Sequence, residues 1–339
     1  GDVGAVHLLA TPAGAEAARL LPGVDEVIAA EAPWADTACS VPHPQVLDDL
    51  LGHVRRGRYD EVVVLTSYHQ SALPMAVVAK WAGVPRVVAD SESAAGSLLD
   101  VRHRRMPDGD DPGFGGVHEV EAMCALMEAA GHPSTGDTRL RVQHPPLSAE
   151  LVLELEPHGL AVADRAYVVV HPTASVPTRA LGVDRAAEHA QALAADGWRV
   201  VVTGGPGEQD VGLAVTPLGG VDLTGRTSLA ELAGVLARAS AVVVGNTGPA
   251  HLAAAVGTPV VSVFAPVVPV ERWRPWGVPS VVLGDQLAAC ALTRASRCPV
   301  PGHPCTSWVS GRDVVSAVRR LTGSRAPARE SVDEEVAKA

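Results

Sequence analysis

The chain has 339 residues, a formal net charge of −11 and 3% aromatic residues, a composition typical of a globular α/β protein with room for two domains. The acidic balance argues against a nucleic-acid partner, because non-specific binding to a polyanion requires a basic face. No apolar run reaches the roughly 18–20 residues that cross a bilayer, and no secretory signal is visible. We therefore expect a cytoplasmic protein without a transmembrane segment. Peripheral contact with a membrane is compatible with this expectation.

Strands and helices alternate along the first half of the chain. Their patterns predict, in order, a strand at Ala5–Leu9, a helix at Ala15–Leu21, a strand at Glu26–Ile28, a helix at Gln45–Arg56, a strand at Glu61–Thr66, a helix at Leu73–Ala82, a strand at Arg86–Ala89 and a helix from Val117 to Ala130. The segment Gly131–Gly159 is predicted to connect two domains, because its prolines interrupt any long helix. No apolar strand precedes Gly1, so we expect the first domain to be incomplete at its start, through truncation or through omitted segments.

The second half repeats this alternation. It predicts strands at Tyr167–Val170, Arg199–Thr203, Ala241–Val244 and Val260–Phe264, and helices at Asp184–Ala195, Ser228–Arg238 and Asp313–Leu321. Two such series indicate an α/β fold of two Rossmann-like, doubly wound domains that face a cleft. We place the first domain at residues 1–150, the second at 151–322 and a frayed, charged tail at 323–339.

The segment from Val242 to Pro269 is the most informative part of the chain. Its two apolar runs have the length and β-branched content of buried parallel strands. The turn between them opens into an Ala-rich helix, which Asn246 or Thr247 can cap and in which Pro249 suits the first turn. The unpaired N–H groups of such a helix start carry a partial positive charge, so the turn is predicted to cradle a phosphate at the carboxyl end of a strand.

Two further strand-to-helix junctions are expected at the same edge of the second sheet. The first carries Thr173 and Ser175, whose hydroxyls suit phosphate oxygens, and Arg179, which can clamp a diphosphate. The second carries Gly205, where backbone can approach a ligand closely, and Glu208, whose carboxylate suits ribose hydroxyls. Together with the phosphate turn, these junctions predict a site for a nucleotide that bears a diphosphate.

The phosphate turn supplies the remaining predicted donor-binding residues. These are Asn246, Thr247 and Gly248, together with His251 in the first helical turn, where the charged imidazole is disfavoured and a neutral hydrogen-bond donor is expected. Less specific explanations compete at each junction: Arg179 as a surface arginine, the GGxGE string as a turn without a ligand, and His251 as a residue that packs at a domain interface.

Candidates for chemistry in the first half are fewer. Asp2 is a carboxylate flanked by glycine at the start of the chain, which is uninformative by itself. His69 and Gln70 follow a predicted strand, and Arg102 and His118 border a polar, Gly-rich stretch. We predict that these four contact a polar acceptor, and a solvated, charged loop is the alternative.

The five cysteines form an odd and sparse set that fits a reducing compartment. Cys290, Cys298, His303 and Cys305 suggest a metal cluster, but their spacing is not a recognised CxxC pair. Incidental thiols in a Pro- and Gly-rich loop are favoured, so we expect no metal and no cofactor. The sequence also lacks GxGxxG, Walker A, HExxH and nucleophile-elbow strings, which argues against a nicotinamide dehydrogenase.

Taken together, these strings resemble the ADP-heptose:lipopolysaccharide heptosyltransferase family, which is family 9 of the glycosyltransferases. The resemblance is strongest over Tyr167–Pro269 and rests on HPTAS…TRA, VVTGGPGE, DLTGRTSLAELAGVLARA and VVGNTGPAHLAAAVGTPVVSVFAP. It implies a GT-B architecture with an acceptor-binding first domain and a nucleotide-sugar-binding second domain. It also implies inverting, metal-independent transfer from an ADP-heptose, with Asp2 as the general base and with Arg179, Glu208 and the string from Asn246 to His251 at the donor.

Two residues depart from the pattern of that family. Asn246 stands where an Asp is frequent and Arg179 where a Lys is usual, which bears on donor identity more than on reaction type. We therefore predict a glycosyltransferase that moves a heptose or a related sugar from an ADP-sugar to a hydroxyl of a glycan or natural-product acceptor. The alternatives are a catalytically inactive nucleotide-sugar-binding protein and a GT-B-like sugar-nucleotide epimerase.

Overall fold

The computed structural model describes residues 4–35, 43–67, 69–105, 116–134, 136–144, 146–160 and 167–323. The chain divides into two units, Gly1–Arg139 and Leu140–Ala339. The division lies ahead of residue 150, so the later part of the predicted connection Gly131–Gly159 belongs to the second unit. The domain bounds drawn from the sequence stay a prediction.

The first unit contains five short strands and four helices among its described residues. In chain order these are β1 (His7–Ala10), α1 (Pro12–Ala18), β2 (Glu26–Ala29), α2 (Pro44–Gly57), β3 (Glu61–Val64), α3 (Leu73–Ala82), β4 (Arg86–Asp90), β5 (Val101–His103) and α4 (Glu119–Ala129). All seven elements predicted from the sequence up to β4 are present, with ends that differ by a few residues, and the helix predicted from Val117 is α4. The strand β5 was not predicted, because its three residues are too short for a readable pattern.

The second unit continues the alternation with six strands and eight helices among its described residues. In chain order these are α5 (Ala149–Leu155), β6 (Tyr167–His171), α6 (Val183–Ala195), β7 (Arg199–Val202), α7 (Gln209–Val215), β8 (Val221–Asp222), α8 (Leu229–Ala237), β9 (Ala241–Gly245), α9 (Gly248–Ala255), β10 (Val260–Val263), α10 (Val270–Trp273), β11 (Ser280–Leu283), α11 (Pro304–Ser307) and α12 (Gly311–Thr322). Across the ranges given above, no helix combines the length and apolarity needed to span a membrane.

The strands of the second unit form one parallel sheet of order β11-β10-β9-β6-β7-β8. Runs of valine form its central strands, because β-branched side chains pack well in a sheet that is covered on both faces. Val169 pairs with Val201 on one side and with Val242 on the other. Apolar residues of α6 and α12 pack against this sheet in one continuous core. The carboxyl ends of β7, β6 and β9 are therefore neighbours at one edge.

The strands of the first unit form two separate parallel sheets, β1-β2 and β3-β4-β5. The strand order of these two sheets repeats that of the second unit: β2-β1 corresponds to β8-β7, and β3-β4-β5 corresponds to β9-β10-β11. Among the described residues of the first unit, no strand corresponds to β6. A cavity of about 350 Å³, lined mainly by apolar side chains of β1 and β3, lies between the sheets. The hydroxyl of Tyr59 contacts Nδ1 of His7 at 3.1 Å and links the two sheets.

Candidate functional site

The turn between β9 and α9 has the predicted construction. Thr247 occupies the N-cap position with extended backbone and Pro249 lies in the first turn of α9, but no side chain caps this helix. The Asn246 amide is used elsewhere: its Nδ2 donates to the carbonyl of Ala265 at 3.2 Å, and its Oδ1 accepts from the N–H of Ala265 at 3.1 Å. Asn246 thereby ties the ends of β9 and β10 together, a task that an ionised Asp, which has no donor, cannot perform. Its contact with a donor stays a prediction.

A cavity of about 170 Å³ opens at this turn. Six of the nine predicted donor-binding residues line it: Ser175, Arg179, Asn246, Thr247, Gly248 and His251. Trp273 completes the wall, with its ring centroid 6.3 Å from that of His251 in an edge-on arrangement. Apart from its chain neighbours and the backbone of α9, no atom lies within 4 Å of the position that a Cβ at Gly248 would take, so the space beside the helix N-terminus is open. The cavity therefore combines positive helix-terminal backbone with room for a ligand.

Arg179 is the cation that lines this cavity. It ends a 3₁₀ turn at Pro177–Arg179, and its Nε is buried without a hydrogen-bond partner among the described residues. Burial lowers the pKa of the Arg179 guanidinium, and the positive charge of Arg294 lowers it further. A buried donor without a partner is costly, so this guanidinium is suited to an anion that enters the cavity.

The other three predicted residues form a second cluster, which is built around Glu208. Oε2 of Glu208 accepts from the Thr173 hydroxyl at 2.7 Å and from the N–H of Gly205 at 2.6 Å. His171 Nδ1 lies 3.0 Å from the Thr203 hydroxyl, and His171 Nε2 lies 3.4 Å from Oγ1 of Thr173. With Thr173 donating to the carboxylate, the network assigns the proton of His171 to Nε2. These bonds fix one carboxylate oxygen of Glu208 and leave the other to accept from a ligand.

The burial of His171 gives a testable pH dependence. Burial lowers the pKa of His171 to about 4, against a smaller opposing effect of Glu208. The imidazole of His171 binds a proton more readily in the unfolded chain than in the folded one. As pH drops from about 6.5 to 4, this difference should lower the free energy of unfolding by about 3 kcal/mol. We expect His171→Gln to flatten that slope in urea unfolding measured across this window. Equal slopes in the two proteins would rule out His171 as the source.

Two residues near the cavity were not predicted. Trp273 belongs to the short helix α10, whose pattern is too brief to be read from sequence. Arg294 lies in the Cys-containing loop and adopts a left-handed backbone conformation with φ of 57°. Positive φ in a residue other than glycine is uncommon and clusters at functional sites, but no local sequence pattern signals it.

The candidates of the first unit occupy different environments. His69 and Gln70 form a tight turn after β3, in which Gln70 Oε1 accepts from the Ser67 hydroxyl at 3.1 Å. Arg102 is exposed on β5. His118 is 4% exposed and caps α4, its Nδ1 accepting from the N–H of Val120 at 3.1 Å. Their acceptor-binding roles stay predictions, and Asp2 lies outside the described residues.

A buried ionic cluster that was not predicted lies at the carboxyl ends of β3 and β4. Arg105 Nε donates to Asp90 at 2.6 Å, its Nη1 donates to Glu119 at 3.0 Å, and its Nη2 donates to the carbonyl of Thr66. The side chains of Arg105, Asp90 and Glu119 are at most 11% exposed. Such paired, buried charges are strongly coupled, so the cluster anchors the start of α4 to the sheet.

The cysteine-containing loop packs against the second unit. Cys290 and Cys305 are buried beside Ala265 and Val267, and burial raises the pKa of the Cys305 thiol to about 11. Within the part of the chain that the structure describes, no group of three or more His, Cys, Asp or Glu side chains is arranged to hold a metal ion. Cys290 and Cys305 pack as small apolar side chains in this core.

Two parallel strand–helix series define a protein of the doubly wound α/β class, whose members bind ligands at the carboxyl edge of the sheet, where the cavity of the second unit lies. The sequence profile of glycosyltransferase family 9 (heptosyltransferase) matches residues 49–301. The chain belongs to this family. Lipopolysaccharide heptosyltransferase 3 of Escherichia coli strain K12 is 35% identical over 169 residues, an alignment that covers 48% of this chain and 47% of that protein. The chain thus spans about half the length of this relative.

Solved structures establish the architecture. The family 9 glycosyl transferase from Veillonella parvula DSM 2008 superposes with a TM-score of 0.69 at 18% identity, covering 94% of this chain and 88% of that one. E. coli heptosyltransferase WaaC, solved with ADP-2-deoxy-2-fluoro heptose, superposes with a TM-score of 0.60 at 19% identity, covering 92% and 88% of the two chains. At such identities the likeness concerns the fold, and it confirms the predicted GT-B class.

Proposed function

We propose that this chain is a glycosyltransferase that moves a heptose or a related sugar from an ADP-sugar to a hydroxyl of a glycan or natural-product acceptor. The observation that carries the proposal is the cavity at the start of α9, where Arg179, Thr247 and the helix N-terminus converge. These groups match a diphosphate in charge and in hydrogen-bonding capacity. Membership of a heptosyltransferase family supports the choice of donor, as does the binding of ADP-2-deoxy-2-fluoro heptose by WaaC.

The nucleoside end of the donor is assigned to the Glu208 cluster. Thr173 and Gly205 hold one oxygen of the Glu208 carboxylate, so the second oxygen can accept hydrogen bonds from ribose hydroxyls. Thr173 and Ser175 follow the same strand, and Ser175 lines the diphosphate cavity. One junction therefore contributes to both parts of the proposed donor site.

The proposed reaction is a single displacement with inversion at the anomeric carbon. Asp2, which matches the general base of the family, takes the proton of the acceptor hydroxyl while the oxygen of that hydroxyl forms the new glycosidic bond to the anomeric carbon. The bond to the diphosphate oxygen breaks on the opposite side, and the nucleoside diphosphate leaves with the electron pair. Arg179, Thr247 and the α9 N-terminus stabilise the charge that develops on this leaving group. The proposal needs no divalent cation, since these groups supply the positive field.

The acceptor is assigned to the first unit, where His69, Gln70 and Arg102 present polar groups near the ends of β3 and β5. We place the reaction in the cytoplasm, with peripheral membrane contact when the acceptor glycan is lipid-linked. An inactive binding protein and a sugar-nucleotide epimerase share the donor site but transfer nothing to an acceptor.

ADP release from ADP-heptose in the presence of a crude glycan acceptor tests the proposal. We expect turnover that depends on acceptor and persists in EDTA, and a rate for Asp2→Asn that is lower by about 10²–10⁴. Unchanged turnover in Asp2→Asn would exclude this residue as the base. Tight ADP binding without turnover of any donor would indicate an inactive binding protein, and conversion of the sugar without acceptor would indicate an epimerase.

The proposed role of Glu208 gives a binding prediction. Glu208→Ala should weaken ADP binding by about 1–3 kcal/mol, because hydrogen bonds between a carboxylate and ribose hydroxyls are lost. Isothermal titration calorimetry measures this, with Asp210→Ala as the control, since Asp210 is an exposed carboxylate in the first turn of α7, the helix that Glu208 precedes. A dissociation constant that is unchanged in Glu208→Ala, or equally changed in both variants, rejects the assignment.

A further inference from the structure

The loop at residues 292–296 connects the two walls of the diphosphate cavity. On one side, the N–H groups of Leu292 and Arg294 donate to the carbonyls of Pro266 and Val267, at 2.8 and 2.9 Å. Val267 precedes Val268, which lines the cavity. The loop is thus fixed to the segment that follows β10.

On the other side, the same loop holds the turn that carries Arg179. The Thr178 hydroxyl donates to the carbonyl of Ala295 at 2.7 Å, and the N–H of Thr178 donates to the carbonyl of Ser296 at 3.2 Å. Thr178 is 1% exposed, so water does not compete for these bonds. Arg179 follows Thr178 in the chain, and Arg294 precedes Ala295. The hydrogen bond between Thr178 and Ala295 therefore brings the two arginines close together.

Both arginines are cations without an acidic partner. Among the described residues, neither Arg179 nor Arg294 forms an ion pair, and the charge of Arg294 helps to lower the pKa of Arg179. The backbone of Arg294 is held in the left-handed region, as is that of Leu292. Such strain persists only where surrounding structure over-determines it, here through the backbone bonds to Pro266 and Val267. Two adjacent, unpaired cations repel each other unless an anion lies between them.

We propose that Arg294 is a second cation of the donor site, which binds the diphosphate together with Arg179. The inference rests on the proposed function and adds to it a residue on a different loop. A diphosphate carries more negative charge than one arginine and one helix N-terminus neutralise, and a second guanidinium completes the balance. Arg179 lines the cavity itself, whereas Arg294 is exposed and lies outside its lining, close enough for its charge to act on Arg179.

The test measures binding of ADP, AMP and inorganic pyrophosphate by calorimetry. The variant is Arg294→Asn, because asparagine tolerates the left-handed backbone and removes the charge. We expect ADP and pyrophosphate to bind about tenfold more weakly, which corresponds to about 1.4 kcal/mol, and AMP to change less than about threefold. Arg294→Lys should recover part of the affinity. The control is Arg297→Asn at an exposed arginine that directly follows this loop, and this variant should bind all three ligands as the wild type does.

Each outcome separates this inference from the proposed function. Wild-type affinity of Arg294→Asn for ADP and pyrophosphate, or an equal loss in Arg297→Asn, overturns the role of Arg294 and leaves the glycosyltransferase proposal in place. Binding of pyrophosphate that depends on Arg294, without binding of ADP, supports the anion site and overturns the ADP-sugar proposal. A wild-type protein that binds neither ligand overturns both.

Discussion

Replacing Arg179 with methionine is expected to weaken ADP binding by about 10–100-fold and, at the same time, to stabilise the ligand-free protein. The loss of affinity follows from the loss of charge-assisted hydrogen bonds, each worth about 1.5–3 kcal/mol. The gain in stability, about 1 kcal/mol, follows because Nε of Arg179 is buried without a partner and burial lowers the pKa of its guanidinium. Keeping the Arg179 guanidinium charged where the fold disfavours the charge costs free energy. A methionine side chain, which is apolar and of similar length, does not carry this cost.

Urea unfolding at pH 7 and ADP calorimetry measure the two effects. Arg297→Met provides the matched control, because Arg297 is an exposed arginine nearby, and it should change neither quantity by more than about 0.5 kcal/mol. Weaker binding together with lower stability would instead indicate that Arg179 supports the fold. Unchanged ADP binding would remove Arg179 from the donor site.

Replacing Gly245 with alanine should destabilise the second unit and displace Arg179. A Cβ at Gly245 would collide with the carbonyl oxygen of Arg179, a contact with backbone that no side-chain rotation relieves. Overpacking of this kind costs about 1–3 kcal/mol, or more where backbone must move. Since the obstructed group belongs to Arg179 itself, ADP affinity should fall along with stability.

Gly248→Ala is the control for this change, because Gly248 begins the neighbouring helix α9 and has no atom within 4 Å of the new Cβ. We expect its free energy of unfolding in urea to match the wild type or to exceed it by up to about 1 kcal/mol, the helix-propensity difference between the residues. Equal stability of Gly245→Ala and wild type would show that β9 and the Arg179 turn separate easily.

The fold was predictable wherever burial leaves a continuous apolar pattern. The valine runs at β6, β9 and β10 are covered on both faces, and their predicted ends lie within one residue of the observed strands. The elements that escaped prediction are short or partly exposed: β8 has two residues, β11 is half-buried, and α5 lies between prolines. Their conformation depends on contacts with distant residues, which a local pattern does not contain.

The site was predictable to the extent that it follows strand ends. Three junctions were chosen because parallel strands finish at one edge, and six of the nine residues chosen there line one cavity. Arg294 escaped because its position depends on the bond between Thr178 and Ala295, which are 117 residues apart. Asn246 shows that a residue type alone does not reveal its bonding partners. Its position in the turn suggests a contact with a ligand, whereas both polar atoms of its amide form hydrogen bonds with the backbone of Ala265.

The separation of β1-β2 from β3-β4-β5 has a consequence for how the molecule opens. Within the described chain, β1 pairs only with β2 and β3 pairs only with β4, so the amides on the other side of each strand have no strand partner. Their protons should exchange with deuterium far sooner than those of β6, which is paired along both sides. Local opening should therefore begin at these strand edges of the first unit while β6 is still protected from exchange.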